Sequence, residues 1–229
     1  FQIHNLLRMK DIEIPIGEST ERANIRSSYL NSENQKVLVY FLSNERYFNR
    51  GGLYFHPETK KYYPDNDERF IFFCRGVLET LKRLRWQPQI IHCVDWQAGL
   101  VPAYLHSIYK SDPYFKNMKT VFTVWSMASH ATFPKGSYGK SGLPAGLYGK
   151  NGSNDEKLNF LKAGLAFADV ITTLGSKADR GIRVSPQDDL AHVLHTREND
   201  IVTFNGEENT QEATAQRFID IYRGLVKNG

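Results

Sequence analysis

Five short runs rich in β-branched and aromatic residues, 37–42, 89–94, 120–124, 170–173 and 201–204, alternate with helical periodicity over 67–85, 98–110, 155–168 and 187–196. Strands separated by helices close into parallel crossover units, and no other feature narrows the fold as far. The expected architecture is α/β: an open, mostly parallel sheet with helices on both faces. All five strands should join one sheet, the last four parallel and linked by right-handed crossovers.

The helix over 67–85 opens on Asp67 and Glu68, places Phe70, Phe73, Val77, Leu81 and Leu84 at helical spacing, and ends on Lys82, Arg83 and Arg85. Residues 126–154 shift to Gly, Pro, Ser and Tyr, too long for an ordinary connection and therefore a candidate functional loop. A final amphipathic helix over 213–227 carries Ala215, Phe218, Ile219, Tyr222 and Leu225 on one face. The expected division is a domain over 1–206, then a linker and helix over 207–229 that pack back on it.

Among 229 residues, 41% are hydrophobic and 24% charged, which is ordinary globular usage. The net charge of +4 comes from Lys and Arg spread without a dense run, so nucleic acid is not expected as a partner. No apolar stretch is long enough to span a bilayer and no signal or transit pattern is visible, so the expected setting is cytoplasmic, away from any membrane. Cys74 and Cys93 sit in apolar periodic segments and are expected as buried thiols.

Three motifs invite a functional reading and fail. Gly139-Lys140-Ser141 resembles the end of a phosphate-binding loop, but Pro134 stands where the first glycine belongs. His192 and His195 share a helical face but lack a third metal ligand at a telling spacing, so solvated surface histidines are expected and no metal site is assigned. The run Arg50-Gly51-Gly52-Leu53 opens no helix and is expected to be a turn.

The run from Ile90 through His92, Cys93, Val94, Asp95, Trp96, Gln97 and Ala98 to Leu100 puts polar and aromatic groups where a buried strand meets the next helix, the edge at which open parallel sheets bind ligands. Asp95 can accept from sugar hydroxyls and Trp96 can stack on a sugar face. Equally, Asp95 can cap the helix and Trp96 can fill core.

Here the chain resembles the N-terminal domain of bacterial glycogen and plant starch synthases, whose pattern is close to HCHDWQTGL. The likeness extends through 40–48, Glu68-Arg69-Phe70, 119–124, 158–164 and Ala168-Asp169, with 215–223 similar to the family's last helix. The resemblance implies one Rossmann-like half of a GT-B retaining glucosyltransferase, which moves glucose from ADP-glucose onto an α-1,4-glucan. It implies substrate binding by Asp95, Trp96, Gln97, Trp125 and Asn205. The donor belongs to a second domain, so no cofactor is expected here and a separate donor-binding domain is the expected partner, with α-1,4-glucan or maltooligosaccharide as ligand.

The departures concern the cleft. Trp125 stands where the family has the histidine that contacts the transferred sugar, followed by Ser126-Met127-Ala128-Ser129-His130 in place of Asn-Leu-Ala-Tyr-Gln. Residues 174–179 and Glu207-Glu208 also differ, and the family's first strand and Lys-x-Gly-Gly-Leu loop find no counterpart. No catalytic residue is assigned, and the chain is expected to be inactive alone, as an edited or decayed relative. The alternative is a scaffold or binding module in which Trp125, Met127 and His130 form a new surface.

Overall fold

The computed structural model describes residues 7–32, 35–125, 131–144, 146–147, 157–174, 189–204 and 210–227. They form two compact units, Phe1–Trp86 with Lys140–Gly142, and Gln87–Gly139 with Leu143–Gly229. The linker expected from residue 207 begins among 205–209, outside the described residues.

The first unit is built on an antiparallel sheet in the order β1 (Leu7–Ile16), β2 (Ser19–Ser32), β3 (Gln35–Ser43). Ile12, Ile14 and Ile16 alternate along β1, so they point to one face and are buried with Ala23 and Ile25 of β2. The short helix α1 (Glu45–Phe48) follows, and then α2 (Asn66–Leu84), which ends at Arg85 in the left-handed region (φ 54). Gly76 is where α2 comes closest to the sheet: a Cβ there would run into Leu42 and Ile14. The buried stripe of α2 is Phe70, Cys74, Leu78 and Leu81, with Ile71 and Phe72, rather than one running through Phe73, Val77 and Leu84.

The strand expected at 37–42 therefore does not join the parallel sheet. It pairs with β2 as a hairpin, Leu30 opposite Val37 and Tyr29 opposite Leu38. A chain turning back after two residues meets its own preceding strand before any distant one, and that local pairing wins. None of Lys36–Ser43 is buried, and Tyr29, Leu30, Val37 and Leu38 are exposed.

The Arg50–Leu53 segment is the expected turn: Gly52 has φ 75, and a Cβ would meet the Phe55 carbonyl. Lys140 is an ion-pair partner. Its Nζ lies 2.9 Å from Asp67, whose side chain is 6% exposed, and 3.5 Å from Glu68, while its carbonyl accepts the Gly17 N–H at 2.7 Å. Burial alone would lower the ammonium's pKa, but the two carboxylates outweigh it and the net shift is upward. Lys140→Ala leaves a nearly buried carboxylate short of its cation. Because the lysine is partly solvent-screened, the expected loss is about 1–2 kcal/mol of first-unit stability in urea unfolding. A loss below the error of the measurement would mean that the pair is only a surface contact.

The second unit carries the expected parallel sheet, in the order β4 (Ile90–Val94), β5 (Lys119–Val124), β8 (Val170–Leu174), β9 (Ile201–Phe204), every pair parallel. Helices cover both faces. On one, Gly164 of α5 (Phe160–Phe167) lies so close to the Phe122 ring that a Cβ would collide with it, and α5 packs in turn on α3 (Leu100–His106) and α6 (Asp189–Thr196). On the other, α7 (Gln211–Lys227) sets Phe218 against Phe204 and His92. The docking side of α7 is Phe218, Ile221, Tyr222 and Leu225, each half-buried; Ala215 and Ile219, placed on that face from sequence, are exposed. His192 and His195 are exposed, as expected.

Within 126–154, the described residues 131–144 are more structured than their composition suggests. They contain β6 (Thr132–Pro134), paired antiparallel with β7 (Lys157–Asn159), and α4 (Gly136–Ser141). The helix expected from 155 starts only at Phe160, because 157–159 are taken by β7 and the Asn159 side chain accepts the Lys162 N–H at 2.9 Å as its cap.

Candidate functional site

The carboxyl ends of β4 and β5 lie side by side, with Val94 opposite Thr123. At the end of β4 the backbone leaves the sheet abruptly. Asp95 has φ 58 and ψ 178, a conformation that a side chain normally forbids and that costs on the order of 1–3 kcal/mol. It is held on both sides: its N–H donates to the Thr123 carbonyl at 2.8 Å, and its carbonyl accepts the Ala98 N–H at 3.2 Å in the tight turn Trp96–Ala98. The chain can then enter α3 only through Gly99, where a Cβ would strike the Phe160 carbonyl.

These constraints sort the five residues named from sequence. Asp95 and Gln97 are half-buried at the sheet edge, Trp125 is 69% exposed just past β5, and Val94, the last residue of β4, is exposed as well. Trp96 is 1% exposed, its indole against Phe133 at 5.9 Å and Phe160 at 6.2 Å. Of the two roles open to it, core filler is the one it has, because the turn that strains Asp95 points the next side chain inward; stacking on a sugar is corrected accordingly. Asn205, with Met127 and His130, lies outside the described residues. No cluster of metal-ligating side chains occurs among the described residues.

One polar element escaped the sequence reading. Beneath this edge a hydrogen-bonded line crosses three strands: Tyr222 Oη to His92 Nδ1 at 2.5 Å, His92 Nε2 to Thr123 Oγ1 at 2.6 Å, and Thr123 Oγ1 to Thr172 Oγ1 at 2.5 Å. Burial pushes the His92 imidazole below its ordinary pKa and the Tyr222 phenol above its own. The available signal was that His92 is the one polar residue of β4 and that Thr123 and Thr172 stand at neighbouring places in β5 and β8.

A profile described as the starch synthase catalytic domain matches residues 1–196. The glycogen synthase of Chlorobium luteolum is 40% identical over 173 residues, 76% of this chain and 35% of that protein. That of Chlorobium phaeobacteroides is 36% identical over 203 residues, 88% and 41% of the two lengths. The chain thus spans about two fifths of these relatives or less. Among solved structures, the catalytic domain of starch synthase IV from Arabidopsis thaliana, bound to ADP and acarbose, superposes with a TM-score of 0.69 at 18% identity, covering 89% of this chain and 41% of that one, and it shares the fold.

Proposed function

Because the chain belongs to the starch synthase catalytic domain family, we propose that it is the acceptor-side half of an enzyme that transfers glucose from ADP-glucose to an α-1,4-glucan. The observation that carries this reading is the placement of a carboxylate on a strained backbone, Asp95, at the same sheet edge as an open indole, Trp125. A strained backbone retained at a ligand-binding edge marks a group needed in one orientation. Asp95 and Gln97 would bond glucan hydroxyls, and Trp125 would offer a flat apolar face to a pyranose ring. Trp96 acts from below by anchoring the turn.

In glucosyl transfer the largest stabilisation comes from charges fixed around the departing phosphate of the donor. We assign that task to a separate donor-binding domain, and the chain alone is expected not to turn over. No described helix is long and apolar enough to cross a membrane, and a cytoplasmic setting is part of the same proposal.

Incubating the purified chain with labelled ADP-glucose and glycogen is expected to incorporate no label; incorporation would refute the half-enzyme reading. Maltoheptaose should bind at about millimolar strength, roughly 4 kcal/mol, since water competes at an open edge. Amide shifts should map to Asp95, Gln97 and Trp125 with a change in tryptophan fluorescence. Shifts that map elsewhere would remove the acceptor site.

A further inference from the structure

Along α7 no residue is buried, and its docking residues are only half covered. Its attachment rests on a small set of contacts. Phe218 meets the His92 ring at 4.9 Å and the Phe204 ring at 4.7 Å, and the Tyr222 hydroxyl meets His92 Nδ1 at 2.5 Å. Elements docked through few buried contacts open at low free energy, so a modest change at their anchor moves the equilibrium.

We propose that α7 is a proton-sensitive latch, held on the sheet while His92 is neutral and released when His92 is protonated. Either neutral tautomer satisfies both neighbours, because the Tyr222 and Thr123 hydroxyls can each donate or accept. Protonation leaves those bonds possible but places a cation under a half-apolar helix. Among the described residues, none that touches it is an anion. α7 contributes the Tyr222 hydroxyl and the Phe218 ring, β5 the Thr123 hydroxyl, β8 the Thr172 hydroxyl one bond further on, and β9 the Phe204 ring. The charged side chain of α7 within this cluster is another cation, Arg217, 5.3 Å over the Phe204 ring, while Asp220 is exposed and bonds Gln216 at 2.9 Å.

The sign follows from the direction of the shift. Burial lowers the pKa of docked His92 below the ordinary imidazole value, and water reaching the ring when α7 lifts raises it back toward that value. Between those two pKa values the undocked state holds more protons, so docking weakens as pH falls through that window and is at full strength above it. Release would expose Phe204 and Phe218, and would free the β4 side chain that lies three residues before Asp95.

Amide hydrogen exchange on the whole chain, corrected for the intrinsic pH dependence of exchange, tests this. From pH 7.5 to 5.5 the protection of α7 amides should fall by about fivefold or more, while the β5 and β8 amides keep theirs. Tyr222→Phe should lower α7 protection at both pH values and leave its ratio unchanged, and His92→Gln, which can still donate and accept, should abolish the ratio. Equal protection of α7 at the two pH values, or the same fall in His92→Gln, would overturn the latch. Should that variant not fold, the His92 ring signal of the unmodified chain must titrate with the same midpoint as the loss of α7 protection, and two separate midpoints would overturn it as well.

Discussion

Replacing Trp96 by alanine is expected to destabilise the second unit by about 3–5 kcal/mol, the usual cost of emptying a large aromatic site in a core. The indole is 1% exposed and closes a three-ring cluster with Phe133 and Phe160, which themselves stand 4.8 Å apart. Its loss would also release the turn that holds Asp95. Urea unfolding measures the cost, and Trp125→Ala serves as the control. That indole is 69% exposed, so its removal should change stability by no more than about 0.5 kcal/mol. Equal effects of the two substitutions would contradict the division of labour between a core indole and a surface one.

Gly99→Ala is expected to cost about 3 kcal/mol although it adds a single methyl group. Its φ of −64 is open to any residue, so backbone strain is not the reason. The obstacle is the carbonyl of Phe160, which cannot rotate aside as a side chain could. Accommodation therefore requires α3 and the start of α5 to separate. Gly164→Ala is the informative comparison: there the added carbon collides with the tip of the Phe122 ring, which must shift but is a side chain and not fixed backbone. The Gly99 variant should unfold at the lower urea concentration of the two, and the reverse order would mean that the α3–α5 contact is softer than it looks.

The parallel sheet was legible because its strands are short apolar runs separated by helices long enough to cross over. The hairpin of the first unit carries a sequence signal of its own. Asp11-Ile12-Glu13-Ile14-Pro15-Ile16-Gly17 alternates with period two and ends in a turn residue, the pattern of a half-buried antiparallel strand. The run 37–42 misled for the opposite reason: six apolar residues in succession suggest burial on both faces, and only pairing partners, which composition does not encode, show it to be an edge. At the site, Asp95 was found by its motif. Its strain was not, because nothing in the residue type announces a φ of 58. Trp96 could not be sorted from sequence, since one indole serves a core or a sugar equally well. Tyr222 was named only as part of an apolar face, because its partner, His92, lies 130 residues earlier.

The first unit does not end where its chain ends. Gly17 and Asp67 take their partners from Lys140, and Arg75 reaches the Ser141 carbonyl, so a stretch of three residues belongs to a body whose other members were finished at Trp86. On a ribosome adding about 5–20 residues per second, the intervening fifty-odd residues take several seconds to appear. During that interval the nascent sheet and α2 exist without their cation, with Asp67 waiting at the helix start. The order of synthesis thus separates assembly of the first unit from its completion, and a nascent chain released before Lys140 emerges would carry every strand of that unit and still lack its clasp.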